Sequence, residues 1–594
     1  MDSPIPPRTP SAPDPRTRHR HGRWTFCLDG DEISEIARDG VELLESLRPA
    51  LRDPEWGVMV PRILAETLDA APGEADEDPP LVRTLEVRYD GPAGPARATG
   101  QLCVTEDELR LRWTLDAEAA LLIARAGLTV GLPREVAGED AVVTTVDGHR
   151  RPHRFPERIS PWQPLFGIRA LDLDRAGVRV RLMLLGDEFE MEDRRNWTEA
   201  GFTIYSRPLE RPVPYRIDAG GQVVQEVVLR ASAEAAAPGP AAGASASAGA
   251  RDLAALLDGA EAACLPSIGL GATTAAEVPA APLPRLAGID HLLVEVSERD
   301  DVPRVLEAAL AESRALDVPV DLRLVGGPDL DVAGVLAQAQ EAGILVMRAA
   351  VFDETLRITV PELHAQLLAA AAPDGIEVAA GARTHFAELN RQVHRVPEAA
   401  LLAVPSTPLT HGTGSWRTAR SLGALGDVLA SARALRPGAR LLLGPVTPRP
   451  GGNAGATEAE LGDRSDREGR GAPPTPGADD PRLATDWAAA WIAGVLAEAA
   501  VAGVEDVSLL EVAGPRGIVR EDGALTPAGE LIARLAPLHG RAVRAVRGPG
   551  GPGTALLAVE GLTVLANAGG APWAVLTEDG EELLLAPGTV RLLS

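Results

Sequence analysis

Ionisable side chains recur in this chain where short apolar runs give way to polar segments: Glu388, Asn390, His411, Arg449, Asn453, Glu511 and Arg516, with Arg323 and Arg348 inside two of the runs. Two carboxylates brought to one substrate can divide acid and base roles. If Glu388 and Glu511 stood about 5 to 5.5 Å apart, a retaining glycosidase would be possible, and a wider gap would leave room for an activated water. The competing reading is that one or both only pair with Arg323, Arg348 or Arg391, because structural ion networks also perturb carboxylates. His411 has the pKa class for proton transfer near neutrality, although a lone His is more often a packed residue. Glu388, Glu511 and His411 are therefore the catalytic candidates. Arg323, Arg348, Asn390, Arg449, Asn453 and Arg516 are the substrate-binding candidates, with Glu295 and Ser297 also expected at the same mouth. No His and Cys cluster has zinc spacing, and no Gly-rich turn has dinucleotide form, so no cofactor and no metal site is predicted, a cation at an acid-rich mouth being the one exception left open.

The sequence contains no Lys, so all 58 basic side chains other than His are Arg. That excludes Schiff-base aldolase chemistry, a pyridoxal-phosphate linkage and a phosphate-loop lysine. An excess of 85 acids over 58 bases gives a net charge of −27, which repels polyanions. Nucleic acid and anionic membrane are thus not expected as partners, and a small neutral or sugar-like molecule is. Cys27, Cys103 and Cys264 are odd in number and widely spaced, which fits reduced thiols in a cytoplasm. Residues 1–22 are Pro- and Arg-rich without an apolar core segment and read as a disordered tail.

The elements that must hold these residues follow from length and periodicity. With 594 residues and 45% hydrophobic content, the chain should form more than one core. Residues 23–232 alternate in short strands such as RTLEVRY and QVVQEVVL, predicting a large antiparallel β-sandwich. Residues 233–250, rich in Ala, Gly, Ser and Pro, read as a linker. From 251 to 540 apolar runs alternate with helical periodicity. Eight strands are expected near Ser267, His291, Val320, Ile344, Ile376, Leu401, Arg440 and Val507, the content of a (β/α)8 TIM-like barrel. Residues 454–481 form a long polar loop or lid, and 541–594 a small C-terminal β domain.

One stretch stands apart. Phe189 to Tyr215 packs acids, arginines, an Asn and aromatics beside an apolar strand, and such density of charge calls for partners rather than open solvent. Glu192, Asp193, Arg195 and Asn196 are expected to pair against a second surface with Trp197 packed beneath.

That segment, with ISPWQPL at Ile159–Leu165, GARTHFAELNR at Gly381–Arg391, GPVTPRPGGN at Gly444–Asn453 and EVAGPRG at Glu511–Gly517, resembles the D-apionate lactonase family in content and order. The resemblance implies an N-terminal β domain, a central TIM-like barrel and a small C-terminal β domain. It also implies a cytoplasmic hydrolase that opens a sugar-derived lactone in carbohydrate catabolism. A base, Glu511 or Glu388, would then deprotonate water while Arg348 or His411 stabilises the oxyanion. The chain departs from the family pattern where Gly414 and Arg420 replace two acids and where EVAGPRG lacks an aromatic. Two other readings stand beside it: a glycoside hydrolase using the paired glutamates, and a catalytically silent carbohydrate-binding homologue.

Overall fold

A computed structural model describes residues 16–70, 79–233, 250–273, 286–409, 414–448 and 480–593. The linker at 234–249, most of the 454–481 loop, and the candidates His411, Arg449 and Asn453 lie outside these residues. The chain divides into two compact units. One comprises Pro15–Arg194 and Gly201–Ser247; the other holds Ala248–Ser594 together with Arg195–Ala200.

The first unit is a 16-stranded antiparallel sheet. Its strands alternate buried and exposed positions, as in Leu81–Tyr89 and Glu108–Ala117, so each presents one apolar face. Trp24 and Phe26 from one end of the sheet share a core with Leu109 and Trp113 from the other, which makes it two layers of one curled sheet. The Trp24 indole donates to the Glu106 carbonyl, and Arg83 donates to that of Gly30, closing the layers at their edges. Thr17–His21, read from the sequence as disordered tail, is instead a strand paired with Trp24–Asp29. Its TRHRH composition hides it, because the strand is an edge that buries little. Cys27, Cys103 and Cys264 are free thiols. Burial, reinforced by Glu35, pushes the Cys27 thiol up to about 11 and makes it a poor nucleophile.

The second unit is built on eight parallel strands: Ser267–Gly271, Leu292–Ser297, Val320–Gly326, Val346–Asp353, Glu377–Gly381, Leu401–Ser406, Arg440–Val446 and Asp506–Ala513. The first pairs with the eighth, Ser267 opposite Asp506, so the barrel is closed. Helices such as Val302–Leu316, capped by Asp301, return the chain between strands. The helix Asp486–Val501 is apolar on nearly every side, which a surface helix would not tolerate. It is buried because the C-terminal strands Ala542–Arg547, Thr554–Val559 and Leu562–Asn567 pack over it.

Those strands recruit earlier chain. Glu261–Cys264 pairs with Ala542–Arg547, and Arg251–Asp252 with Trp573–Leu576. Residues 251–264, read from the sequence as the start of the barrel, therefore belong by hydrogen bonding with the C-terminal strands. Their alternation is too short to announce a distant partner.

No helix among the described residues is long and apolar enough to cross a membrane.

Candidate active site

Among the described residues the barrel lumen carries two distinct polar sets. The lower one lies where the strands begin. Asp321 is the second residue of its strand, Arg348 the third and Asp506 the first, while His291 immediately precedes the second strand. Asp321 is fully buried and accepts from Arg323 through Nε at 2.7 Å and a terminal nitrogen at 2.8 Å, and from Arg348 Nε at 2.8 Å. Arg348 also donates to Asp506 at 3.0 Å. Because the fourth and eighth strands lie on opposite walls, that bond crosses the lumen. The His291 ring fills the space left by Gly269, whose absent Cβ would lie 2.2 Å from it, and its Nε2 is 2.7 Å from the Ser508 hydroxyl.

Burial opposes ionisation of Asp321, but Arg323 and Arg348 outweigh it and hold the carboxyl well below the usual range. Burial likewise works against the Arg348 charge, and Asp321 with Asp506 more than restores it. Arg323 and Arg348, expected from the sequence to bind substrate at the mouth, are thus withdrawn from it. They neutralise acids at the opposite end, where barrel residues serve stability rather than chemistry.

The upper set lies where the strands end. Glu511, near the end of the eighth strand and buried, is held at 2.6 Å by Arg516 from the turn that follows. On the second strand Glu295 is in register with Arg323 of the third and so shares its lumen side, and its side chain is 39% exposed there. Arg383, two residues past the fifth strand, reaches it with Nε at 3.1 Å and a terminal nitrogen at 2.6 Å. The second and fifth strands are not neighbours, so this pair spans the mouth.

Glu388, the expected partner of Glu511, does something else. On the helix Phe386–Gln392 its carboxylate turns back to accept from the Thr384 and His385 backbone N–H groups at 3.0 and 3.2 Å and from the Thr384 hydroxyl at 2.6 Å. This is a capping-box carboxylate satisfying the start of its own helix. Burial raises its pKa, with Arg357 and the Thr384 hydrogen bonds offsetting part of the effect.

The same loop and helix carry a cluster with Arg195–Ala200, the hairpin tip that counts with the barrel unit. Asn390 donates to Asn196 at 2.9 Å. Trp197, half-buried, meets the His385 ring edge-on with centroids 5.0 Å apart, and the Arg391 guanidinium lies 5.3 Å from its centre. His385 Nδ1 is 2.9 Å from the Thr407 hydroxyl, just beyond the sixth strand. Fully buried Arg195 pairs with Asp427 at 3.2 Å. Of the expected charged segment, Arg195, Asn196 and Trp197 thus find barrel partners. Asp193 accepts from the Ser160 N–H at 2.9 Å.

Sequence reasoning placed Glu511, Arg516 and Glu295 at the mouth, and the structure brings them there. It passed over Arg383 and His385, although both stand in the GARTHFAELNR segment. Arg383 carried a usable signal, lying just past Gly381 where a barrel strand delivers its side chains to the mouth. Gly414 and Arg420, at the departures from the family pattern, lie at the start of the helix Ser415–Leu435, with Arg420 over the Trp416 ring at 5.5 Å.

A closed parallel barrel with arginine-held carboxylates at its C-terminal mouth, joined to large and small β domains, defines a class of multidomain α/β barrel proteins. Within that class the chain belongs to the D-apionate lactonase family. The model of the family's N-terminal domain matches residues 7–234, and that of its TIM barrel domain matches 268–540. The chain is 31% identical over 224 residues to the D-apionate lactonase of Brucella anthropi, an alignment that covers 36% of this chain and 35% of that protein. Among solved structures it is similar to a putative aldose 1-epimerase from Escherichia coli, at 12% identity and TM-score 0.26 over 37% of this chain and 99% of that one. It is also similar to the alpha-galactosidase from Lactobacillus brevis, at 9% identity and TM-score 0.25 over 98% of this chain and 97% of that one. At these TM-scores nothing about function follows from either structure.

Proposed function

We propose that the barrel mouth hydrolyses a sugar-derived lactone, of the D-apionolactone kind, to the corresponding aldonate in a cytoplasmic pathway of carbohydrate breakdown. The observation that carries this is Glu511, buried at the end of the eighth strand and fixed by Arg516, in a chain that belongs to a lactonase family. In this reading Glu511 is the general base. It takes a proton from water, whose oxygen bonds to the lactone carbonyl carbon; the carbonyl π pair moves to oxygen, and the Arg516 guanidinium stabilises that oxyanion. Collapse breaks the ring C–O bond. The leaving alkoxide recovers the proton, giving a hydroxy acid that ionises at neutral pH. The reaction uses no cofactor, and the partner is a small molecule rather than nucleic acid or a membrane.

The paired-glutamate glycosidase reading is not favoured, because the Glu388 carboxylate is engaged by Thr384 and His385. The test is incubation of the purified protein with a panel of aldonolactones, following acid release above the spontaneous rate. Acceleration that is lost in Glu511→Gln supports the reading. No acceleration on any member overturns it, and binding of sugar acids without turnover would favour a silent carbohydrate-binding homologue.

A further inference from the structure

The Glu295–Arg383 pair has a place in the lumen that a structural ion pair does not need. The lower network of Asp321, Arg323, Arg348 and Asp506 balances two acids against two arginines by itself, so Glu295 is not required to neutralise it. Nor is the pair on the outer wall, where exposed bridges merely decorate the helical layer and contribute little. It joins two non-adjacent strands over the open end of the barrel, with Arg383 itself steadied by its backbone N–H on the Arg357 carbonyl at 2.9 Å.

Each Glu295 oxygen accepts one hydrogen bond from Arg383, Oε2 from Nε and Oε1 from a terminal nitrogen. A carboxylate oxygen carries two acceptor directions, so each retains one. The side chain is 39% exposed toward the mouth, which leaves those directions open to a ligand. Two fixed acceptors on one carboxylate match two donors on adjacent carbons, the pattern of a vicinal diol. The arginine cancels the carboxylate's charge, so a neutral polyol can be bound without stripping water from a lone ion. We infer that Glu295, held by Arg383, is a diol clamp that selects hydroxylated over deoxygenated ligands at this mouth. The inference rests on the proposed reading of the mouth as a sugar-lactone site.

A ligand seated over the mouth covers the Glu295 acceptors, so an analogue lacking the hydroxyls leaves them desolvated and unpaired and is rejected more strongly than by an apolar pocket. The experiment compares a hydroxylated aldonolactone with the unsubstituted ring lactone, γ-butyrolactone, in the parent protein, Glu295→Gln and Arg383→Lys. The parent is expected to prefer the hydroxylated lactone in kcat/KM by about 100-fold or more. Glu295→Gln is expected to lower that ratio at least about tenfold, mainly through KM, while leaving kcat/KM for γ-butyrolactone within a few-fold. Arg383→Lys, which keeps the charge but loses the two-point fork, should give an intermediate ratio. Calorimetric titration with the hydroxylated aldonate and with its 2-deoxy analogue separates the two proposals, since it reads diol recognition whether or not turnover occurs. A preference for the diol that vanishes in Glu295→Gln supports the clamp even if no lactone is hydrolysed. An unchanged ratio or preference in a Glu295→Gln protein with the parent's melting temperature overturns it while leaving lactone hydrolysis intact.

Discussion

Removing Asp321 should destabilise the barrel far more than removing any exposed ion-pair partner. The carboxylate is fully buried and accepts three guanidinium hydrogen bonds between 2.7 and 2.8 Å from Arg323 and Arg348. Asp321→Ala leaves Arg323 without its carboxylate, facing the Phe352 ring with 6.0 Å to the centroid, and leaves Arg348 with Asp506 as its remaining acid among the described residues. Breaking a buried pair this way costs about 3–5 kcal/mol, because the surviving charge stays desolvated. The exposed Arg440–Glu377 pair, by comparison, contributes roughly 0.2–1 kcal/mol. The melting temperature of Asp321→Ala, followed by circular dichroism, should fall by roughly 5–10 °C for a unit of this size. The combined variant Asp321→Leu with Arg323→Met should recover much of that loss, since an apolar pair of similar volume carries no desolvation cost. Acid should act in the same direction. The Asp321 pKa is depressed in the folded state, so its stabilisation is complete above the unfolded carboxyl value of about 3.9 and is lost as pH falls below it toward the folded value. Asp321→Ala should therefore flatten the acid limb of the stability profile. An unchanged melting temperature with abolished lactone turnover would refute the reasoning and return Arg323 to substrate binding.

Three further outcomes are expected. Arg195→Ala should cost about 3–5 kcal/mol by removing a fully buried guanidinium from its pair with Asp427, whereas Glu192→Ala, at a half-buried position, should cost roughly 1 kcal/mol or less; paired urea titrations decide this. Glu388→Ala should cost about 1–2 kcal/mol through the lost helix cap and leave kcat within a few-fold, while Glu511→Gln should lower kcat by about 10²–10⁴ with a small change in stability. Steady-state rates and melting curves on both variants would expose an exchange of these roles. Gly269→Ala should cost at least about 1–3 kcal/mol, because its Cβ would fall 2.2 Å from the His291 ring in a lumen with no slack, and thermal melting checks it.

The sequence by itself determined the eight barrel strands. Parallel strands covered on both faces leave near-continuous apolar runs, as in Leu401–Ser406 and Asp506–Ala513, and those runs are visible without knowing their neighbours. It also determined the family, through motifs whose residue order needs no geometry. Only the tertiary structure decided which end of a strand each polar side chain serves. Arg348 lies on a barrel strand, as its surroundings predict, but its bond to Asp506 depends on barrel closure bringing the fourth and eighth strands face to face. Glu388 follows a strand as a catalytic acid would, yet three local donors claim its carboxylate. Glu295 and Arg383 gain their meaning from the tilt that sets the second and fifth strands across one mouth. Periodicity records which face of an element is apolar; it carries no record of which distant charge will lie within 3 Å once the sheet has closed.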